Sequence, residues 1–453
     1  DGLAADGGLY VPTSHAKLTN HDLRAMMGLE YTELFTQVFG TYVGDDITQR
    51  TQASLATQAY HPDKFPNAEN GNITPLTEVD SSFYIQDLSG GPTAAFKDMA
   101  MQPLGGYTSY LLEQLDKQIL IVGATTGDTG PAAEAAFKGM PRTKLIMLSP
   151  QEGMSDFQKA QMGELSGGNI TNLAVDGTFD DCQDLVKLIK EDPDLGRQVG
   201  NVNSINWARI AAQIPYYFSG YLQAVGQNVG QKVDFVVPTG NFGNILAGYM
   251  AREMGLPIRK LIAAANENDV VHSLIQTGEY VRPGVKHETS SPSMDITVAS
   301  NFERLLYNLL DKDPKKTAAF MEEFRRTRVA KLSDFGVSPS ALKDTQFASG
   351  RSTHQDRIDS IRWVNQNKPG FVIDPHTADA VTVAKAEREE GVPIVCLSTA
   401  KPVKFEPTIM EALGSTPNRE ERFRNVGENP NSGFIRVSTD PEELKQRVRD
   451  LVS

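Results

Sequence analysis

Short apolar runs and helical stretches alternate along most of the chain. "QILIV" at 118–122 leads into a Gly/Thr loop and then the Ala-rich "PAAEAAFKG"; "KLIMLS", "VDFVVP", "RKLIAAA" and "VPIVCLS" follow further along. Each run holds about five apolar residues, the pattern of strands buried on both faces of a parallel sheet. Their alternation with helices predicts an α/β fold with sites at the C-terminal ends of its strands. The first 75 residues carry helical patterns such as "HDLRAMMGLEYTELFTQVFGTYVG" and end in the polar loop "HPDKFPNAENGNITP". Residues 301–370 are charged and mostly helical, without a good strand, and predict a helical insertion. In "DPEELKQRVRDLVS", acids come early and Arg late, which predicts a capped terminal helix.

Composition narrows the class. The chain has 453 residues, 40% hydrophobic and 22% charged, enough for a large buried core. A net charge of −13 argues against nucleic acid or an anionic membrane surface as the main partner, yet leaves room for a local positive pocket. No apolar stretch approaches the ~20 residues that span a bilayer. Cys182 and Cys396 are the only cysteines and lie far apart, so neither a disulfide framework nor a thiolate zinc site is expected, and no metal is assigned. With no secretory signal visible, a cytoplasmic location is expected. The chain begins at Asp1 without a methionine, which leaves a start or targeting segment before it open.

Chemistry concentrates at a lysine and three loops. In "SGGPTAAFKDMAMQPLGGY", Pro92 and Thr93 open a helix and put Lys97 in or near its first turn, where unpaired N–H groups already make the field positive. A solvated surface lysine is the ordinary reading; an amine with a lowered pKa, able to form a Schiff base, is the sharper one. In "VDFVVPTGNFGNILAGYM", Thr239, Gly240, Asn241, Phe242, Gly243 and Asn244 join a strand to a helix, a phosphate cradle or simply a tight turn. "GATTGDTG" places Thr125, Thr126, Gly127, Asp128 and Thr129 at another strand end, as anion donors or helix caps. In "VNSINWARI", Ser204, Asn206 and Arg209 are polar among apolar neighbours, and Arg209 suits a phosphate as well as a structural salt bridge.

"GPTAAFKD", "GATTGDTG", "NSINWAR", "PTGNFGN", "NENDVV", "SMDITVASNFERLL", "DPHTA" and "LSTAKPVKF" occur in one order over almost the whole chain, which resembles the threonine synthase family of pyridoxal-phosphate enzymes. The opening "DGLAADGGLYVP" resembles that family's N-terminal motif, although the chain starts just inside the usual N-terminus. The family often has "STAHP" where this chain has Ser398 to Pro402 with Lys401 in the histidine's place. The resemblance implies fold type II, similar to tryptophan synthase β: two open, mostly parallel twisted sheets flanked by helices. It implies an N-terminal mainly helical domain at 1–75, a large cofactor-binding α/β domain from 76–105, 208–300 and 371–453, a small α/β domain at 106–207, and the insertion at 301–370. Lys97 would hold pyridoxal 5′-phosphate as a Schiff base, residues 240 to 244 its phosphate, and Thr399 its pyridine nitrogen. Ser89, Thr93, Thr125, Thr126, Gly127, Asp128 (through its backbone), Thr129, Ser204, Asn206 and Arg209 would receive the substrate, O-phospho-L-homoserine. The implied reaction is γ-elimination of phosphate followed by β-addition of water, in a monomer. A serine or threonine dehydratase, a phospholyase that stops at 2-oxobutyrate, and a non-catalytic ligand-binding relative stay open.

Overall fold

Two parallel-stranded sheets organise the molecule, as the alternation of apolar runs requires. The computed structural model describes residues 2–4, 6–66, 68, 71–195, 199–426 and 430–452. Asp1 and Ala5 of the opening motif, Asn67, Glu69 and Asn70 of the loop after the N-terminal helices, and Ser453 lie outside them. The strands are β1 (Leu76–Asp80), β2 (Phe83–Asp87), β3 (Ile119–Ala124), β4 (Thr143–Pro150), β5 (Ile170–Val175), β6 (Val199–Gly200), β7 (Val233–Pro238), β8 (Ile258–Ala265), β9 (Glu279–Val281), β10 (Val329–Lys331), β11 (Phe347–Arg351), β12 (Ile394–Ser398) and β13 (Phe434–Val437). The larger sheet runs β1-β2-β12-β7-β8-β11 and is parallel apart from the antiparallel β1. The smaller runs β13-β5-β4-β3-β6 and is parallel throughout. Among the described residues no helix is long and apolar enough to cross a membrane.

Central strands are buried from end to end. All six residues of β7 and all five of β12 are buried. Asp234 interrupts the apolar run of β7 without breaking it, because Arg259 on the adjacent β8 donates to both of its oxygens. A buried carboxylate is tolerated when it is paired in this way.

The helix Asp98–Gln114 follows Lys97 and contains Pro103. Proline has no N–H for the carbonyl four residues back. That carbonyl, of Met99, instead accepts a bond from Tyr60 Oη at 2.7 Å, which ties the N-terminal helix Gln49–Ala59 to the site-bearing one. Gly105 on the same helix lets it approach the helix Thr129–Phe137, since a Cβ there would lie 2.5 Å from Ala136 O.

The chain path differs from the expected partition in three places. Residues 301–370 are not helical alone: β10 lies within them, and β11 forms the edge of the larger sheet against β8. β13 and the helix Pro441–Val452 return to the smaller sheet, where Leu444 and Val448 join its core with Leu185 and Ile189. The single helix Asp98–Gln114 also runs across the expected boundary at 105/106.

Candidate active site

The loops leaving β2, β3, β7 and β12 meet at one cleft. It is lined by Lys97, Asp128, Thr129, Ser204, Arg209, residues 239–244, Ser293, His376 and Thr399, among others. Lys97 is the N-cap residue of its helix, with Ala94 at φ 58 three residues earlier. A buried non-glycine residue in the left-handed region is costly, and such strain gathers at functional sites. The turn is pinned from β12's end: Phe96 N–H donates to Thr399 O at 2.8 Å and Lys401 N–H to Ala94 O at 3.0 Å. Lys97 Nζ lies 3.3 Å from Asp128 Oδ2 and 4.9 Å from the Phe96 ring centroid. Burial holds its pKa below the usual lysine value; Asp128 opposes that shift, and Lys404 and Arg209 add to it. The position that looked penalised for a charged lysine thus shifts it toward its neutral form relative to a lysine in water.

The loop after β7 is built for an anion. Phe242 takes φ 64 and caps the helix Gly243–Glu253. Among the described residues, no amide from Gly240 to Asn244 donates to a protein acceptor. Asn244 Oδ1 accepts from Tyr216 and Tyr217 hydroxyls at 2.6 and 2.8 Å, which turns Nδ2 away as a buried donor with no partner. An unmade buried hydrogen bond is expensive, so Asn244 Nδ2, with the unpaired amides of this helix start beside it, calls for a ligand with several acceptor oxygens. Gly240 faces the backbone of the neighbouring loop: a Cβ there would meet Ser293 O and Met294 Cα at 3.2 Å. Thr399 lines the same cleft at the end of β12. Lys97, the five amides, Asn244 Nδ2 and the Thr399 hydroxyl fit the amine, phosphate and pyridine-nitrogen requirements of pyridoxal phosphate.

Arg209 gives the cleft a second cation. It is 4% exposed, donates from Nη1 to Val202 O at 2.7 Å, and leaves Nε without a partner. Among the described residues it has no carboxylate within ion-pair distance, so the structural salt bridge weighed from sequence is not formed. Burial lowers its pKa to about 10, which still leaves a cation at neutral pH.

The other substrate candidates separate. Asp128, Thr129 and Ser204 line the cleft with Arg209. Asp128 presents its carboxylate to Lys97, beyond the backbone role expected of it. Ser89 and Thr93 are tied to Asp87 and Asp98, respectively. Thr125 Oγ1 accepts from Gly127 N and Gly130 N, which folds the loop. Asn206 caps the helix Trp207–Ala211, bonds Asn201 O and lines a different cavity. Thr126 is exposed and Gly127 half-buried; neither lines the cleft.

Four groups that no local sequence pattern marks also stand at the site: Lys404, Gln158, His376 and Ser293. Lys404 Nζ pairs with Asp128 Oδ1 at 2.6 Å, and Gln158 Nε2 donates to the same oxygen at 2.9 Å. Despite burial, Lys404 and Lys97 hold the Asp128 carboxyl well below the usual range. His376 Nδ1 meets Asp374 Oδ1 at 2.8 Å, and its Nε2 accepts from Ser293 N–H at 3.0 Å. That chain fixes the neutral Nδ1–H tautomer and the loop that faces Gly240. Lys401 pairs with Asp87 at 2.6 Å and does not line the cleft. Lys404 and His376 stand inside "LSTAKPVKF" and "DPHTA"; their enclosure, which only the fold creates, was the signal lacking.

The chain matches known proteins along its whole length. Residues 69–324 match the model of the pyridoxal-phosphate dependent enzymes, 1–60 that of the threonine synthase N terminus, and 377–448 that of the threonine synthase C-terminal region. The chain is 45% identical to a threonine synthase of Corynebacterium glutamicum, over 100% of this chain and 94% of that one. A crystal structure of pyridoxal-phosphate-bound threonine synthase from Brucella melitensis superposes with a TM-score of 0.91 at 36% identity, covering 99% of this chain and 95% of that one. The yeast threonine synthase structure gives 0.89 at 32% identity, covering 100% and 94%.

Proposed function

The chain belongs to the threonine synthase family of pyridoxal-phosphate-dependent enzymes, and from that premise we propose how its cleft converts O-phospho-L-homoserine and water to L-threonine and phosphate. Bound pyridoxal phosphate supplies an electron sink that makes the substrate's Cα proton, and then its Cβ proton, removable. Lys97 would be its attachment point, the amides of 240–244 with Asn244 Nδ2 would hold its phosphate, and Thr399 Oγ1 would serve its pyridine nitrogen. A neutral hydroxyl there, instead of a carboxylate, would leave that nitrogen largely unprotonated.

Lys97 Nζ, once free, would move protons one at a time: it would take the proton from Cα, pass it on to the bound cofactor, and only then, as a neutral amine again, take one from Cβ as phosphate leaves Cγ. It then serves Cγ, and finally Cα after water has added at Cβ. Burial lowers its pKa, so the amine gives up its proton more readily than a lysine in water does. Thr129 and Ser204 orient the substrate's carboxylate and phosphate, and Arg209 receives the departing phosphate charge.

The observation that carries this reading is Arg209, a buried guanidinium with no carboxylate in ion-pair distance among the described residues, in a cleft whose amide cradle would serve the cofactor's phosphate. A dehydratase has no second phosphate to place there. The test is product analysis with cofactor-loaded protein and O-phospho-L-homoserine. Threonine and phosphate in equal amounts are expected. Phosphate with 2-oxobutyrate makes the protein a phospholyase, and turnover of serine or threonine without the phospho substrate makes it a dehydratase.

A further inference from the structure

Lys404 has no part in the steps above, yet it is a fully enclosed cation beside the cleft. Its side chain is 0% exposed, and its Nζ lies 2.6 Å from Asp128 Oδ1 and 2.8 Å from Thr93 O. Asp128, 3% exposed, turns Oδ2 to Lys97 Nζ at 3.3 Å and to Ser293 Oγ at 3.3 Å, while Gln158 Nε2 donates to Oδ1 at 2.9 Å. One carboxylate therefore bridges two lysines, and the closer partner is the one that does not line the cleft. We propose that Lys404 is a positioning residue for Lys97: by neutralising Asp128 from behind, it lets the carboxylate orient the Lys97 amine without fixing it as an ammonium ion.

The arrangement solves a specific problem. A lone buried carboxylate 3.3 Å from an amine is a strong trap for a proton, and an ammonium ion cannot attack a carbonyl. Removing the carboxylate is no remedy, because the amine then loses its aim. A second cation on the far oxygen keeps the hydrogen-bond geometry and cancels the charge. The charged groups facing Lys97 are Asp128, Arg209 on the helix Trp207–Ala211 and Lys404 in the turn Pro402–Phe405. His376 stands in the same cleft lining, and Asp98 follows on Lys97's own helix, turned to Thr93. With Lys404 present two cations outnumber the one anion that touches Lys97; without it, Arg209 alone is left to balance Asp128.

The proposal rests on Lys97 being the cofactor lysine, and the experiment separates the two. The full-length chain, stripped of cofactor, is mixed with pyridoxal phosphate across a pH series, and the rate of appearance of bound-cofactor absorbance is followed. That rate tracks the neutral fraction of the attacking amine. Lys404→Met is expected to move its midpoint up by about one to three pH units, the usual effect of one unscreened opposite charge. Asp128→Asn is expected to move it down, the pair Asp128→Asn/Lys404→Met to return it close to wild type, and Lys404→Arg to leave it in place. If Lys404→Met does not fold, the comparison of Asp128→Asn with the double variant decides: adding Lys404→Met must raise the midpoint. No difference between those two, or an unmoved midpoint in a folded Lys404→Met, overturns the proposal. Capture at an unchanged rate by Lys97→Ala overturns the prior assignment of Lys97 instead.

Discussion

Arg209→Met removes the buried guanidinium while keeping much of the side chain's volume. In the free protein the change deletes one hydrogen bond to the Val202 carbonyl and one buried cation that has no counterion among the described residues. Leaving a buried carbonyl unpaired costs about 1–3 kcal/mol. Releasing an unpaired buried charge returns several kcal/mol of desolvation, so the stability of the variant should stay near wild type or rise. With substrate the ledger reverses, because a charge-assisted contact to phosphate worth roughly 1.5–3 kcal/mol is lost. That corresponds to a drop in kcat/KM of about ten- to more than a hundredfold. The assay measures kcat/KM for O-phospho-L-homoserine, cofactor absorbance and thermal midpoint on one preparation. The reasoning fails if stability falls while kcat/KM holds, which would make Arg209 a structural group. It also fails if cofactor absorbance disappears, which would assign the guanidinium to the cofactor phosphate.

Gly240→Ala should raise the dissociation constant for pyridoxal phosphate at least several-fold in equilibrium dialysis, because its Cβ meets the Ser293–Met294 backbone at 3.2 Å, where no side chain can swing aside. Tyr60→Phe should lower stability to chemical denaturation by about 1–3 kcal/mol, since the Met99 carbonyl freed by Pro103 then has no donor; an unchanged midpoint would show that water reaches it. Burial raises the Asp98 carboxyl to about 6 against the Thr93 bonds that lower it, so its favourable contribution is full below its unfolded pKa and fades as pH rises through 6. Asp98→Asn should therefore gain on wild type by on the order of 3 kcal/mol between pH 4 and pH 7 in paired denaturation curves; a pH-independent difference would refute this.

The parallel strands were legible because their apolar runs are dense enough to be buried on both faces; "VDFVVP" and "VPIVCLS" became β7 and β12. β11 was not, because "FASGR" at a sheet edge buries chiefly Phe347 and Ser349, too little to show a period. β13 is short, and its pairing with β5, some 260 residues earlier, is a long-range fact that no local pattern records. At the site, Lys97 and the 240–244 loop stood out because each breaks a local expectation: a cation at a helix start, and glycines at a strand end. Lys404 and His376 break none. Their importance comes from Asp128 and Ser293, which approach them from distant parts of the chain.

The central claim is that Lys97, among several lysines near this cleft, carries the cofactor. Borohydride reduction of the cofactor-loaded protein, followed by proteolysis and mass mapping, tests it directly. The account predicts the phosphopyridoxyl mass on the peptide bearing Lys97 and nowhere else. The same mass on a peptide bearing Lys404 or Lys401 would contradict it.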